Sequence, residues 1–366
     1  MSVRTQSCRI AAATRKRVVA ADPLRSLLVQ ALLTETAGLL LDERTDLVDP
    51  PVAQVRMQRD GRLTVDGREA DAAAVQPEVA CATGDLFFRG GAAPWFELLL
   101  RATSLRWFQS PAAGYIAPYD PLFERGTRVT GAHVNAIPIS EYVIQAVLAH
   151  FQRAGAWAEA RAAHEWRPHE FREVFGTTWL VIGVGAIGSA VAERARALGV
   201  RVLGHRRRPT GEEPVHEMLV RGALLDALPR CDVVVLAAPA TPETTGFVDA
   251  TFLDAMAPGS VLVNVARGAL VDEPALLAAL DRGRPEAAIL DVFAAEPLPA
   301  DSPFWDHPRV VVTPHSSAGG LARHGRVVDL FVENLARYRA GRPLLHEVRP
   351  AGRAPAPTWL DERARS

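Results

Sequence analysis

Cysteine is scarce in this chain. Cys8, Cys81 and Cys231 are the three present in 366 residues, far apart and without CxxC spacing, which excludes a disulfide framework and suits a reducing, cytoplasmic compartment. Long apolar runs are missing too: none reaches the roughly 18 residues of a transmembrane helix. Nor is either charge in excess. Lys and Arg number 41 against 42 Asp and Glu, a formal net charge of -1, so no global field draws the protein onto nucleic acid or an anionic membrane. No internal repeat stands out.

What is present is a globular composition, 48% hydrophobic and 23% charged, in a chain long enough to predict two domains. Residues 1–17 are basic and contain no acid; they read as a frayed tail rather than a transit peptide. The last stretch, "RPAGRAPAPTWLDERARS", reads as a second tail.

From Thr178 to about Pro314 short apolar runs alternate with helical stretches. "TWLVIGVG", "RVLGH", "DVVVLAA", "SVLVNVA", "AAILDVF" and "RVVVTPH" are nearly continuous in apolar residues, as strands are when helices cover both faces of a parallel sheet. "IGSAVAERARALG" and "DEPALLAALDRG" carry apolar residues at spacings of three and four and end at glycine. The alternation predicts an α/β, doubly wound parallel sheet. Before it, "MQRDGRLTVDG" predicts a hairpin, "EVACATGDLFF" and "SLRWFQSPAAG" predict strands, and "PWFELLLRAT" predicts a helix. "ISEYVIQAVLAHFQRAGAWAEARAAHEW" predicts one long helix joining the two regions, and "RVVDLFVENLARYRAG" a helix able to fold back onto the first.

The turn "GVGAIG" sits between a predicted strand and a predicted helix, the context in which GxGxxG binds a dinucleotide. Gly183 would allow the tight turn, Gly185 the approach of a pyrophosphate, and Gly188 the close packing of helix on strand, while Ala186 and Ile187 open the helix whose free N–H groups meet phosphate. Ligands in such sheets lie beyond the carboxyl ends of the strands. Pro239, Thr241 and Thr244, then Ala266 and Arg267, then Asp291, then His315 all follow predicted strands, and together they predict a lined crevice.

One set of these side chains suits a definite chemistry. Arg267 can hold a carboxylate bidentately, His315 can move a proton, and Glu296 can hydrogen-bond the histidine. At roughly 4 Å and an effective dielectric near 20, the attraction between Glu296 and a charged histidine is about 4 kcal/mol, which favours the protonated ring. "GHRRRP" falls at the end of the second strand, where an acid would accept from the adenosine ribose. Arg206, Arg207 and Arg208 stand there instead. A guanidinium attracts the 2′-phosphate that an acid repels, so Arg206 and Arg207 are expected to favour NADP over NAD.

These motifs, with "PETTGFVDATFLDAMAPGSVLVNVARGALVDEPALLAALDRG", "AAILDVFAAEPLPADSPFWDHPRVVVTPHSS" and "ENLARYRAGRPL", resemble the D-isomer-specific 2-hydroxyacid dehydrogenases over residues 105–348. The resemblance implies an oxidoreductase moving a hydride between NAD(P)H and a 2-oxo acid, of the glyoxylate/hydroxypyruvate reductase kind. Arg267 would bind substrate, His315 would be the acid/base, Glu296 its partner, and Asp291 would lie near the nicotinamide. It also implies a Rossmann cofactor domain, residues 137–317, inserted into a flavodoxin-like substrate domain of residues 1–136 plus 318–366, and a homodimer. "SPAAGY" is similar to the loop whose backbone, at Ala113 and Gly114, binds the substrate carboxylate, although Ile116 stands where many members have aspartate. A formate-dehydrogenase-like reading is disfavoured, because Glu296 stands where those enzymes have glutamine. NAD-sensing corepressors share the fold and are the alternative. Phe87, Phe88, Trp95, Trp107 and Tyr115 are the aromatics available to a substrate pocket, with core packing expected for most.

Overall fold

The computed structural model of the chain describes residues 28–31, 55–57, 63–65, 68–71, 75–82, 92–112, 116–220 and 222–348. The two tails, Phe87, Phe88, Ala113, Gly114 and Tyr115 lie outside the described residues.

In the first part, β1 (Leu28–Ala31), β5 (Val79–Ala82), β6 (Trp107–Gln109) and β7 (Arg128–Thr130) run parallel in that order, and β15 (Glu347–Val348) closes the sheet antiparallel to β7. The expected hairpin is present as β2 (Val55–Met57) and β3 (Leu63–Val65), extended by β4 (Arg68–Ala70) into a small antiparallel sheet. Alternation along β5 and β6 sends Ala80 and Phe108 to the helix Ala92–Arg101, where Trp95 and Leu99 are buried. Cys81 and Trp107 point the other way, to the helix Arg323–Arg339, and Trp107 stacks on Phe331 at 5.2 Å. Trp95 and Trp107 are thus core residues, both fully buried.

The second sheet has seven strands, all parallel: β8 (Thr178–Ile182), β9 (Arg201–His205), β10 (Glu217–Leu219), β11 (Val233–Leu236), β12 (Val261–Asn264), β13 (Ala287–Leu290) and β14 (Val310–Val312). Both faces are buried, which is why these strands read as continuous apolar runs. Trp179, Val181, Val233 and Val235 face the helices Ala136–Phe151 and Ala186–Ala197. Leu180, Ile182, Val234 and Leu236 face the helices Ala250–Ala255 and Glu273–Asp281. The order is β10-β9-β8-β11-β12-β13-β14. The chain therefore reverses direction across the sheet between β8 and β11, where a crevice opens at the carboxyl ends.

Beyond β1, β4, β7 and β15, short strands that the sequence reading does not name, two elements depart from it. The long helix is broken: Ala136–Phe151 ends, Arg153 turns through φ +53°, and a second helix spans Ala154–Ala162. The break has a physical reason, because the returning chain donates Arg172 N–H to the carbonyl of Phe151 at 3.1 Å and lays the Arg172 guanidinium over the Phe151 ring. Arg172 also pairs with Asp232, and Asp232 accepts from the backbone of Thr178 at 2.7 Å, so this segment is fastened to the start of the central strand. The second departure is β10, a three-residue edge strand of mixed polarity that no apolar run announces.

Candidate active site

The glycine turn follows β8. Gly183 has φ +98°, and a Cβ there would overlap the backbone of Ala238 beyond β11. At Gly188 a Cβ would overlap the carbonyl of Gly183, so the helix Ala186–Ala197 lies directly against the turn. Gly185 differs. Nothing stands within 4 Å of the place its Cβ would take, so this backbone faces open space. The helix starts there without a side-chain cap, leaving the first-turn N–H groups of Ala186 and Ile187 for a ligand. These observations fit a bound pyrophosphate.

Beyond β9 the three arginines behave differently from one another. Arg206 is ion-paired with Glu213 at 2.9 Å, whereas Arg207 and Arg208 are exposed. Glu213 also accepts from the Thr210 N–H at 2.7 Å, the Thr210 hydroxyl and the Gly211 N–H. These bonds, the Thr210 backbone first, pull its carboxyl down to about 2. The acid missing from the end of β9 is thus supplied from a neighbouring turn, where it orients one arginine. Arg207 lies near the loop after β11: Glu243 is held below the usual carboxylate range by a Thr241 hydrogen bond, with a contribution from the Arg207 charge. In that loop the Thr244 hydroxyl donates to the carbonyl of exposed Pro239 at 2.8 Å and accepts from Thr241 N–H at 2.8 Å.

After β12, buried Asn264 shapes the turn that presents Arg267. Its side chain accepts from Ala266 N–H and donates to the Arg267 carbonyl, both at 3.0 Å. Arg267 is exposed and donates to the Ala266 carbonyl at 2.6 Å. Among the described residues it has no ion-pair partner within 4.0 Å. Gly268 is required for a specific contact: a Cβ there would run into the Phe293 carbonyl, in the loop after β13 that carries Glu296.

That loop and the one after β14 bring the acid/base candidates together. Nδ1 of His315 and Oε2 of Glu296 are 2.6 Å apart, and Phe293 N–H donates to the other carboxylate oxygen at 3.0 Å. Burial pushes the Glu296 carboxyl up, but the His315 hydrogen bond, the Phe293 N–H and the charges of His315 and Arg267 outweigh it and hold the group below its ordinary range. Asp291 is fully buried, and its carboxylate accepts from the Thr313 hydroxyl and from the N–H groups of Ser316 and Ser317. It anchors the His315 loop, a role that its expected place beside the nicotinamide does not account for.

The segment after β6 lies near Arg267. Tyr119 and Ser110, both buried, share a hydrogen bond, and Ser110 Oγ accepts from Ala112 N–H at 3.0 Å. Burial pushes the Tyr119 phenol well above its usual range, with the Arg267 charge opposing, which puts Tyr119 within the field of the arginine. Ile116, which replaces the common aspartate, packs against the apolar cluster around Trp95 and Phe96. No group of His, Cys, Asp or Glu among the described residues is arranged to hold a metal.

The sequence profile of the D-isomer specific 2-hydroxyacid dehydrogenase NAD binding domain matches residues 144–317. A solved D-isomer specific 2-hydroxyacid dehydrogenase family protein from Aeromonas salmonicida subsp. salmonicida A449 superposes over 89% of this chain and 99% of its own, with a TM-score of 0.75 and 29% identity. Residues 144–317 therefore carry the NAD binding domain of the D-isomer specific 2-hydroxyacid dehydrogenases. Another such dehydrogenase, from Xanthobacter autotrophicus Py2 and solved with NADPH and MES, is 29% identical with a TM-score of 0.69, covering 89% of this chain and 98% of its own. The glyoxylate/hydroxypyruvate reductase A of Serratia proteamaculans (strain 568) is 35% identical over 207 residues, 56% of this chain. The match spans 64% of that reductase's length. The family profile takes in the glycine turn, Arg267, Glu296 and His315. Ser110 and Tyr119 lie outside it, and Ala113 and Gly114 of the expected substrate loop lie outside the described residues.

Proposed function

We propose that the protein reduces a small 2-oxo acid to a D-2-hydroxy acid with NADPH, glyoxylate and hydroxypyruvate being the first candidates. The observation that carries this reading is the 2.6 Å bond between His315 Nδ1 and Glu296 Oε2 beside Arg267, at the carboxyl ends of strands that also bear an open dinucleotide turn. When bound, the reduced nicotinamide supplies a hydride to C2 of the oxo acid. Arg267 holds the substrate carboxylate through its planar fork, which fixes the carbonyl in one orientation. Because Nδ1 of His315 is engaged by Glu296, Nε2 is the nitrogen that delivers a proton to the forming alkoxide. The ring then becomes neutral and keeps its Nδ1–H bond to the glutamate.

The cofactor preference rests on the turn after β9. Arg206, oriented by Glu213, and exposed Arg207 would bind the 2′-phosphate. Hydrogen bonds to charged groups contribute about 1.5–3 kcal/mol each, and roughly 1.4 kcal/mol is tenfold. Turnover of glyoxylate, hydroxypyruvate or phenylpyruvate is therefore expected to favour NADPH over NADH by at least about tenfold, a ratio that falls toward one in an Arg206→Ala, Arg207→Ala double variant. A wild-type preference for NADH would overturn the cofactor assignment. Cofactor binding without turnover on any of these acids would favour the corepressor-like alternative.

A homodimer in a reducing, cytoplasmic setting is part of the same reading. Trp166 is 98% and Phe175 77% exposed on the arm that follows the broken helix; the same arm supplies Phe171 to a cavity of about 920 Å³ that Tyr142, His150 and Val311 also line. Large exposed aromatics of this kind mark contact surfaces. Light scattering of the purified protein is expected to give twice the chain mass of 39.5 kDa; a monomer mass at micromolar concentration would contradict it.

A further inference from the structure

We infer that Tyr142 and Thr313 are positioning residues for His315, acting through Asp291 as a line of hydroxyls that fixes the turn from which the imidazole projects. The inference rests on the reading of His315 as the proton donor; it adds Tyr142, outside the glycine, arginine, glutamate and histidine motifs, and gives a role to Thr313, two residues before His315. Its starting point is backbone geometry. His315 has φ +49°, a left-handed conformation that a residue with a Cβ holds only when its surroundings over-determine it.

The surroundings here are a set of bonds converging on Asp291. Its main-chain carbonyl accepts from His315 N–H at 2.9 Å, and that N–H is shared with the Thr313 carbonyl at 3.0 Å. Its Oδ1 accepts from the Thr313 hydroxyl at 2.7 Å, from Ser316 N–H at 2.8 Å and from Ser317 N–H at 3.1 Å. The residues on both sides of His315 are thus tied to one carboxylate at the end of the adjacent strand. Five residues further along the same loop comes Glu296. Fixing the loop after β14 to the loop after β13 is what sets the 2.6 Å separation of His315 and Glu296.

Tyr142 completes the line from the helix Ala136–Phe151, with its hydroxyl 2.8 Å from Thr313 Oγ1. The proton order follows from the chemistry of the groups. A carboxylate only accepts, so the single Thr313 proton goes to Asp291. Thr313 then accepts, and the Tyr142 hydroxyl donates. Burial pushes the Tyr142 phenol above its usual range, against the lowering effect of the Thr313 hydrogen bond and with a smaller push from the charge of Asp291, so the hydroxyl keeps its proton. Neither residue touches the reacting atoms. Removing the Thr313 hydroxyl takes one bond from Asp291 and leaves the partly buried tyrosine hydroxyl without its acceptor, and the turn at His315 loosens.

The test compares Thr313→Val, Thr313→Ser, Tyr142→Phe and the Tyr142→Phe, Thr313→Val double variant in the full chain. In glyoxylate reduction with NADPH, T313V is expected to lower kcat by about tenfold or more with the KM for NADPH unchanged. T313S is expected to stay within about threefold of wild type, and Y142F to fall between. The double variant should be no slower than T313V, because Tyr142 acts through Thr313. A second readout does not depend on turnover: in protein labelled with ¹⁵N-histidine, the Nδ1–H resonance of His315, assigned by its loss in His315→Asn, should shift or broaden in T313V and keep its wild-type position in T313S. If no oxo acid is reduced by the wild type, the reading of the reaction fails while the resonance still decides the positioning role. T313S as impaired as T313V, an additive double variant, or an unmoved resonance in T313V would overturn the inference. Should T313V not fold, Y142F carries the same test, and an unmoved resonance and unchanged kcat in that variant overturn it.

Discussion

Replacing His315 by asparagine is expected to lower kcat by roughly 10²–10⁴, the usual contribution of a positioned general acid or base. At about 1.4 kcal/mol per factor of ten this is a loss of roughly 3–5.5 kcal/mol of transition-state stabilisation. Asparagine is chosen for a structural reason. The position has φ +49°, and asparagine tolerates that region better than most residues, so the loop keeps its shape while the proton is lost. Its side-chain amide can still donate to Glu296, so the carboxylate is not stranded. NADPH binding, followed by quenching of protein fluorescence, should be unchanged, since the glycine turn and the arginines lie elsewhere in the crevice. A variant retaining more than about a tenth of wild-type kcat on every oxo acid the wild type accepts would remove His315 from the mechanism.

Arg267→Gln is expected to lower kcat/KM by about 10- to 1,000-fold, with most of the loss in the KM for the oxo acid. The guanidinium has several N–H donors and gives one of them, at 2.6 Å, to the Ala266 carbonyl, so a carboxylate can take two more side by side. Losing one or two charge-assisted hydrogen bonds at about 1.5–3 kcal/mol each accounts for the range. Lysine is not expected to rescue, because it offers a point charge without the fork. The substitution has a second signature. Arg267 is one of the charges that hold the Glu296 carboxyl down, so its removal raises that group and moves the acid limb of the rate profile to higher pH. An Arg267→Gln enzyme with unchanged KM and an unmoved acid limb would contradict both roles.

The second half of the fold was legible because its strands are buried on both faces and announce themselves as apolar runs, with the glycine turn marking the first. β10 was not legible, since an edge strand of Glu217, Met218 and Leu219 carries no such signal. The break at Arg153 also escaped periodicity, because it is imposed by Arg172, which arrives from elsewhere in the chain. In the site, Arg267, Glu296 and His315 sit where strand ends put them. Glu213 and Tyr142 were invisible for a common reason: each matters through a partner brought to it by folding. Tyr142 and Thr313 are 171 positions apart in the chain. Thr210 and Gly211, before Glu213, resemble any polar turn until Arg206 is seen beside the carboxylate.

The meeting of Gly268 with the Phe293 carbonyl bears on how substrate range can change in this molecule. A close approach of backbone to backbone has no side chain to trim, so the spacing between the arginine turn and the glutamate loop is not adjustable by substitution. The chemistry-bearing side of the cleft is therefore a fixed template. Room for variety is left to side chains outside this contact, where volume can be traded without moving backbone against backbone. Under the reading proposed above, a change of oxo acid would come from those side chains while the spacing of the arginine turn and the glutamate loop stays as it is.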